Sequence, residues 1–534
     1  MPYTYAYLLY TGLASSLMLL GIELIPRLRV LRKPLTAISL TTITALWVLQ
    51  PQTGRWVVSL WAPMNVLGEQ ILLDMNPAVW WLGVVLAAVF TGAAWIEVAE
   101  HRSSLPLTGT LVMVTLLVTW QSLTGGTLMT KLAAWAIFDL VWGVAALMAG
   151  ADGEQVTFSL AIHGLASLLL WGSALLLRQH GDSPLWWLMQ TSQPIEVLLL
   201  VAALIRVGFY PFHILFPRQL GESRTLGMVH LIGPIPGIAL LYRFLALPDF
   251  PRLPGWGMWW GVLSLVWCGL MGWNARGKQR PMLWAGHAML IAIVTGATIL
   301  GAPTFLLHGV ATWIAAGTLL VLMRGRAQQA IAWSWPVWTA LLFLVGAPPS
   351  PTGMLHRALL ATTPWLATIL AVGGSALVFA SFLRGIRRPA LGDLAFPRMW
   401  RRVSFLAGTG LILIVLVITA FRSPASLADM GRNHSNEAAL TRAGISWLGL
   451  GLGLSAMLGS VLLLRWGAIT REWLHYGEPF LEIINLQWLY RAMWRGADHL
   501  LAILRVTVEV VEGSGAVLWS LLILLLTLLV IVSR

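Results

Sequence analysis

Cysteine is nearly missing from this chain: Cys268 stands alone among 534 residues. One thiol excludes an internal disulfide and any cysteine-ligated cluster held within the chain. Charge is scarce too, at 10% of residues, and lysine occurs only as Lys33, Lys131 and Lys278. The basic excess is therefore carried almost wholly by arginine. There is no HExxH pattern and no metal-spaced group of Cys and His, so intramembrane metalloprotease chemistry has no support. The glycines of LGLGLGLSAMLGS (448 to 460) lie in an apolar run with no strand before it. They read as small-residue helix packing rather than as a phosphate loop.

What the chain has in excess is apolar sequence, 58% hydrophobic residues with a mean hydropathy of +0.79. Those values define a polytopic membrane protein in which no stretch is long and polar enough for a separate soluble domain. The net charge of +13 would suggest nucleic acid in a soluble protein. Here the basic residues cluster in short loops between apolar stretches, which is positive-inside chemistry, so the expected surroundings are a lipid bilayer and no nucleic acid. The thirty tryptophans read as interfacial belts and core packing. The first apolar stretch, Tyr3 to Leu24, lacks a basic segment before it and a small-residue cleavage site, and reads as a retained span.

Apolar stretches taken as spans fall near 4–24, 36–50, 75–98, 106–122, 130–149, 156–177, 194–215, 226–247, 256–273, 282–300, 304–323, 330–347, 355–383, 403–421, 444–466 and 515–533. The expectation is an all-α protein of about 14 to 16 transmembrane helices. Counting every span puts the basic loops at 27–33, 274–280, 324–329 and 384–389 on one side, with the N-terminus on the other. Two segments do not fit as spans. Residues 51–73 carry turn signals and alternating Trp, Val and Leu, which predicts a small hairpin outside the membrane. Residues 468–512 mix apolar positions with Arg491, Arg495, Asp498, Arg505 and Glu509, as an amphipathic helix lying along the membrane would.

Three ionisable residues stand inside apolar stretches: Asp139 in WAIFDLVWG, Arg206 in LLLVAALIRVGFYPFH and His230 in LGMVHLIGPIPG. A charge near a helix centre costs about 2.5 to 3.5 kcal/mol on insertion scales, so such residues pair with one another or line a polar path. Asp139 and Arg206 suit each other as an ion pair. Two readings of that pair stand side by side, a structural link between helices and a part in ion movement.

The run from Leu204 to Arg243 resembles the central signature of the antiporter-like subunits of respiratory complex I, Mrp-type cation/proton antiporters and membrane-bound hydrogenases. The resemblance rests on Arg206, Pro211-Phe212-His213, Pro217, Gly221, His230 and the closing Leu240-Leu241-Tyr242-Arg243. Further matches follow in order: Leu72-Leu73-Asp74 before the third span, Phe138-Asp139-Leu140, the basic NARGKQRPMLWAGHAML, His308-Gly309, and GAPPSPTGMLHR from Gly346 to Arg357. The tail is similar to that of the distal, complex I subunit 5-like member. The resemblance covers most of the chain, and order and spacing carry it more than any one motif.

It implies N-terminal membrane helices over 1–129, a first antiporter-like repeat over 130–250 and a second over 251–400, each with a discontinuous helix and related by inversion. Spans over 401–467, the amphipathic helix over 468–512 and a last transmembrane helix over 513–534 complete the expected chain. In the family, a glutamate and lysine pair, a central lysine and a terminal lysine or glutamate move the proton. Asp139 stands here for the glutamate, Arg206 for its lysine, Thr312 for the central lysine, and His356 or Arg357 for the terminal group. Arginine does not give up its proton near neutral pH, so Arg206 can hold a field or an ion pair but not carry the proton. The implied ion pathway is Asp139, Arg206, His230, His287, His308, His356 and Arg357, whereas His163 and His213 read as packing or loop histidines.

The function implied first is a proton- or Na+-translocating membrane subunit of a larger energy-converting complex, multi-pass in the cell inner (plasma) membrane. No cofactor and no self-contained active site are expected in this chain. Its partners would be other membrane subunits and a soluble redox or zinc-containing subunit. Two alternatives differ in kind: a scaffold that has lost its pumping lysines, and the membrane partner of a bicarbonate-accumulating complex with a zinc-dependent soluble subunit.

Overall fold

The computed structural model describes residues 3–58, 71–99, 105–151, 153–181, 183, 185–215, 228–229, 231–247, 255–275, 280–323, 331–345, 355–356, 358–359, 365–386, 399–421, 447–467 and, beyond these, 488, 489, 492, 495, 496, 499 and 502. Two compact units divide the chain at residues 471 and 472. In the second unit the described residues are helical and exposed. The amphipathic helix expected over 468–512 and the span expected over 513–534 otherwise lie outside the described residues.

The first unit is a helical bundle. Its N-terminal part comprises α1 (Tyr3–Leu24), α2 (Arg32–Val48), α3 (Pro77–Ala99), α4 (Thr108–Thr124), α5 (Leu128–Met148) and α6 (Gly153–Gln179). Then come α7 (Gln193–Val207), α8 (Ile235–Leu245), α9 (Gly255–Asn274), α10 (Arg280–Leu300) and α11 (Pro303–Leu322). The last are α12 (Ile331–Val345), α13 (Trp365–Ile386), α14 (Met399–Phe421) and α15 (Trp447–Arg465). Among the described residues, eight helices are long and apolar enough to cross a membrane, and shorter apolar helices accompany them. Between α2 and α3, β1 (Gly54–Val58) pairs antiparallel with β2 (Ile71–Met75), with Arg55 opposite Asp74.

Helix limits follow the apolar runs because a segment in lipid must satisfy its backbone internally over the whole bilayer thickness. The runs are apolar all round, so burial sorts them by place rather than by stripe. α3 is buried along nearly its whole length, packed by α2, α4, α11 and α14. Gly92 of α3 and Gly408 of α14 let these two backbones touch; a Cβ at Gly92 would stand 2.7 Å from the Gly408 carbonyl oxygen. Leu140, Leu168, Ile369 and Ile414, by contrast, point outward as exposed apolar residues. In a bundle of this composition, that outward apolar face is the lipid-facing one.

Candidate functional site

One helix stops short. The apolar run 194–215 reads as a full span, yet α7 ends at Val207. Gly208, at φ 89°, turns the chain, and its N–H together with that of Phe209 returns to the Leu204 and Ile205 carbonyls. This is a left-handed helix stop in which the orphan carbonyls are capped by the backbone just beyond. The turn is held from two sides. His287 of α10 donates through Nε2 to the Gly208 carbonyl at 2.8 Å. From α9, Ser264 Oγ accepts from the Tyr210 N–H at 3.1 Å and the Trp260 indole donates to the Tyr210 carbonyl. Irregular backbone persists inside a membrane only where protein satisfies it in this way.

Arg206 occupies the last turn of α7, where the carbonyl end of the helix favours a cation. It is 1% exposed. Its guanidinium grips Asp139 of α5 with both oxygens, Nη1 donating to Oδ2 at 3.0 Å and Nη2 to Oδ1. The guanidinium plane lies 4.3 Å from the Trp135 ring centroid, a stacking that a lysine would not reproduce. His163 of α6 completes the group: its Nδ1 lies 2.9 Å from Asp139 Oδ1, and Trp142 packs beside its ring at 5.4 Å. The three helices thus deliver one acid, one permanent cation and one titratable imidazole to one place. Their fixed charges nearly balance, which is what makes such a group tolerable in lipid.

The other residues expected on an ion pathway are distributed along the molecule. His287 sits at the α7 break, two residues beyond Arg206 in contact though not in sequence. His308 is buried on α11, where its carbonyl accepts from the Thr312 hydroxyl at 3.0 Å. His356 is buried, with Nε2 3.3 Å from Ser375 Oγ, whose own hydrogen goes to the Ala371 carbonyl. His230 and Arg357 lie outside the described residues.

His163, which reads in the sequence as a packing or loop histidine, meets the Asp139 carboxylate; a histidine on an apolar helix looks the same in either case. A second buried charge group centres on Asp74 and Arg243, residues that the sequence offers only as motif matches. Asp74 of β2 binds Arg243 of α8 through Oδ2, and the Arg243 Nη2 also donates to the Asp74 carbonyl at 2.6 Å. Arg55 of β1 donates to Asp74 Oδ1 at 3.2 Å while stacking on Trp187. Beside them Lys131 of α5, fully buried, donates from Nζ to the Ser122 carbonyl at 2.9 Å. Among the described residues no cluster of His, Cys, Asp and Glu is arranged to hold a metal.

Apolar helices with a buried charged centre define a multi-pass membrane protein. No protein-family model and no curated protein sequence matches the chain. Solved structures do. The chain is similar to one in the Mrp complex from Dietzia sp. DQ12-45-1b, at 16% identity and a TM-score of 0.69 over 98% of its length. It spans 63% of that chain. In the membrane-bound sulfane sulfur reductase, an archaeal respiratory membrane complex, it is similar at 15% identity and a TM-score of 0.66, covering 98% of this chain and all of that one. For respiratory complex I from Thermus thermophilus the values are 15% and 0.61, over 84% of this chain and 99% of that one. The fold is therefore the one these chains of the Mrp complex, the sulfane sulfur reductase and complex I share.

Proposed function

We propose that this chain is an ion-translocating, antiporter-like subunit of a larger energy-converting complex in the cell inner membrane, moving protons or Na+. The observation that carries the reading is the Asp139–Arg206 pair with His163 on the same carboxylate, set where α7 breaks off. Arg206 keeps its charge throughout and serves to anchor Asp139. The groups able to exchange a proton there are Asp139 and His163, 2.9 Å apart. A change of charge elsewhere in the complex would alter how firmly Arg206 holds Asp139, and so which of the two keeps the proton. His287, His308 and His356 extend the pathway beyond this group, and His230 and Arg357 are assigned to it by their sequence positions. The assembly partners that suit this role are other membrane subunits and a soluble subunit supplying the driving chemistry.

A second reading has an observation of its own. Thr312, at the place of the family's central lysine, is buried on α11, and among the described residues its hydroxyl bonds back along its helix to the His308 carbonyl. That favours a scaffold without a conducting centre. Proton flux in proteoliposomes holding the purified complex separates the two. Under the first reading, Asp139→Asn lowers flux by about tenfold or more with assembly intact, the scale of a lost proton-transfer group. Unchanged flux would leave the pair a structural tie and favour the scaffold. A co-purifying redox subunit, against a co-purifying zinc protein, tells which kind of complex hosts the chain.

A further inference from the structure

Lys131 is the fully buried lysine among the described residues, and its surroundings are built rather than incidental. Thr127 caps the start of α5 by accepting from the Thr130 N–H, and the Thr130 hydroxyl in turn accepts from the Leu72 N–H of β2. That fixes the first turn of α5 against the hairpin. Gly125 leaves room for the lysine stem; a Cβ there would stand 3.0 Å from Lys131 Cγ. The Nζ then reaches the last turn of α4 at Ser122 and feels the charges of Arg243 and Asp74. Among the described residues, α4 gives a carbonyl, β2 gives Asp74, α8 gives Arg243, and β1 gives Arg55 on the far side of Asp74; α6 also packs along α5 and brings His163 to Asp139. Of the three cations around this one carboxylate, only the lysine can change its charge.

The same helix carries Asp139 two turns on. Lys131, Trp135 and Asp139 follow at intervals of four, so they form one stripe on α5, with about 12 Å of rise between the two charged groups. Trp135 lies between them on the helix, and its buried ring also underlies the Arg206 guanidinium that holds Asp139. The Trp135 indole N–H, the Ser122 hydroxyl and the Nε atoms of Arg206 and Arg243 are buried polar groups that make no hydrogen bond among the described residues. Such groups are where bridging waters bind.

We propose that Lys131 is a proton-holding site that exchanges protons with Asp139 along this stripe and so forms one end of the ion path. The Asp74–Arg243–Arg55 group sets the field in which it works. This deepens the ion-pathway reading and rests on it. The test is proton flux by the purified complex in proteoliposomes, comparing wild type, Asp139→Asn, Lys131→Arg and Lys131→His. Arginine keeps the charge but not the exchange, so Lys131→Arg is expected to lose flux by about tenfold or more, whereas Lys131→His retains at least a third of it. If Asp139→Asn is impaired and Lys131→Arg transports like wild type, the lysine is a structural cap and the proposal falls. If both transport like wild type, the pathway reading itself is lost.

Arg55→Ala supplies an arm that does not touch the buried lysine. Arg55 is half exposed, so the variant is expected to assemble. Removing one positive charge beside Asp74 makes protonation of Lys131 easier, and the pH profile of flux should move to higher pH. A profile that stays in place would overturn the assignment even where Lys131→Arg fails to assemble.

Discussion

At the scale of single residues, the energetics of Asp139 and Arg206 are those of a pair taken out of water together. Each is tolerated because the other is there, and loss of one partner leaves an uncompensated charge, at a cost of about 3 to 5 kcal/mol. Arg206→Gln is thus expected to lower the thermal unfolding midpoint of the purified protein sharply. The double variant Asp139→Asn with Arg206→Gln should recover most of that loss, because two neutral amides need no counter-charge. A double variant no more stable than Arg206→Gln alone would show that the bidentate grip is not the source of the stability. Both members of this pair stand out in the sequence, since hydropathy makes any charge in an apolar run conspicuous. His163 and Lys131 do not stand out. The role of His163 depends on which helix lies opposite, and Lys131 sits so near a helix start that it passes for the edge of a loop.

Among the elements, lipid makes the helices legible and hides their interruption. A segment must run about 20 residues to cross about 30 Å of hydrocarbon, so apolar length alone predicts the limits of α1, α3, α10 and α14 to within a few residues. The stop after Val207 is written in a single glycine within a continuous apolar run. At about 22 Å, fifteen helical residues fall short of a span, and what makes the short helix stable is supplied by α9 and α10, far along the chain. Gly208 therefore has two reasons to be glycine: its φ of 89°, and a Cβ position 2.9 Å from His287 Cε1. Gly208→Ala should cost about 1 to 2 kcal/mol for the left-handed backbone, with the displacement of His287 added to it. Gly301, at φ 61° with open space around it, offers the comparison, since Gly301→Ala bears the backbone cost alone. Unfolding midpoints in detergent should fall further for Gly208→Ala. Equal shifts would mean that the His287 contact adds nothing to the break.

Across the whole bundle, side-chain contacts tie together the helix ends that the basic loops assign to one side. Glu23 at the end of α1 accepts from Arg32 of α2 and from the Leu107 N–H before α4, and Lys33 of α2 donates to the Glu97 carbonyl near the end of α3. Farther along, Arg384 in the last turn of α13 binds the Trp273 and Ala275 carbonyls at the end of α9. The hairpin, the end of α4, the start of α5 and the end of α8 gather at the other ends of their helices, around Asp74 and Lys131. Positive-inside chemistry then predicts a direction, with the Arg29 and Arg384 ends expected toward the cytoplasm and the Lys131 group toward the other side. Because Cys268 is buried, single engineered cysteines can report this without background. A membrane-impermeant maleimide applied to right-side-out vesicles should label Val57→Cys on the exposed face of β1, and Arg29→Cys only after the membrane is opened. Labelling in the reverse order would invert the molecule and place Lys131 at the cytoplasmic end of the path. Labelling of both from one side would break the link between basic loops and helix ends on which the orientation stands.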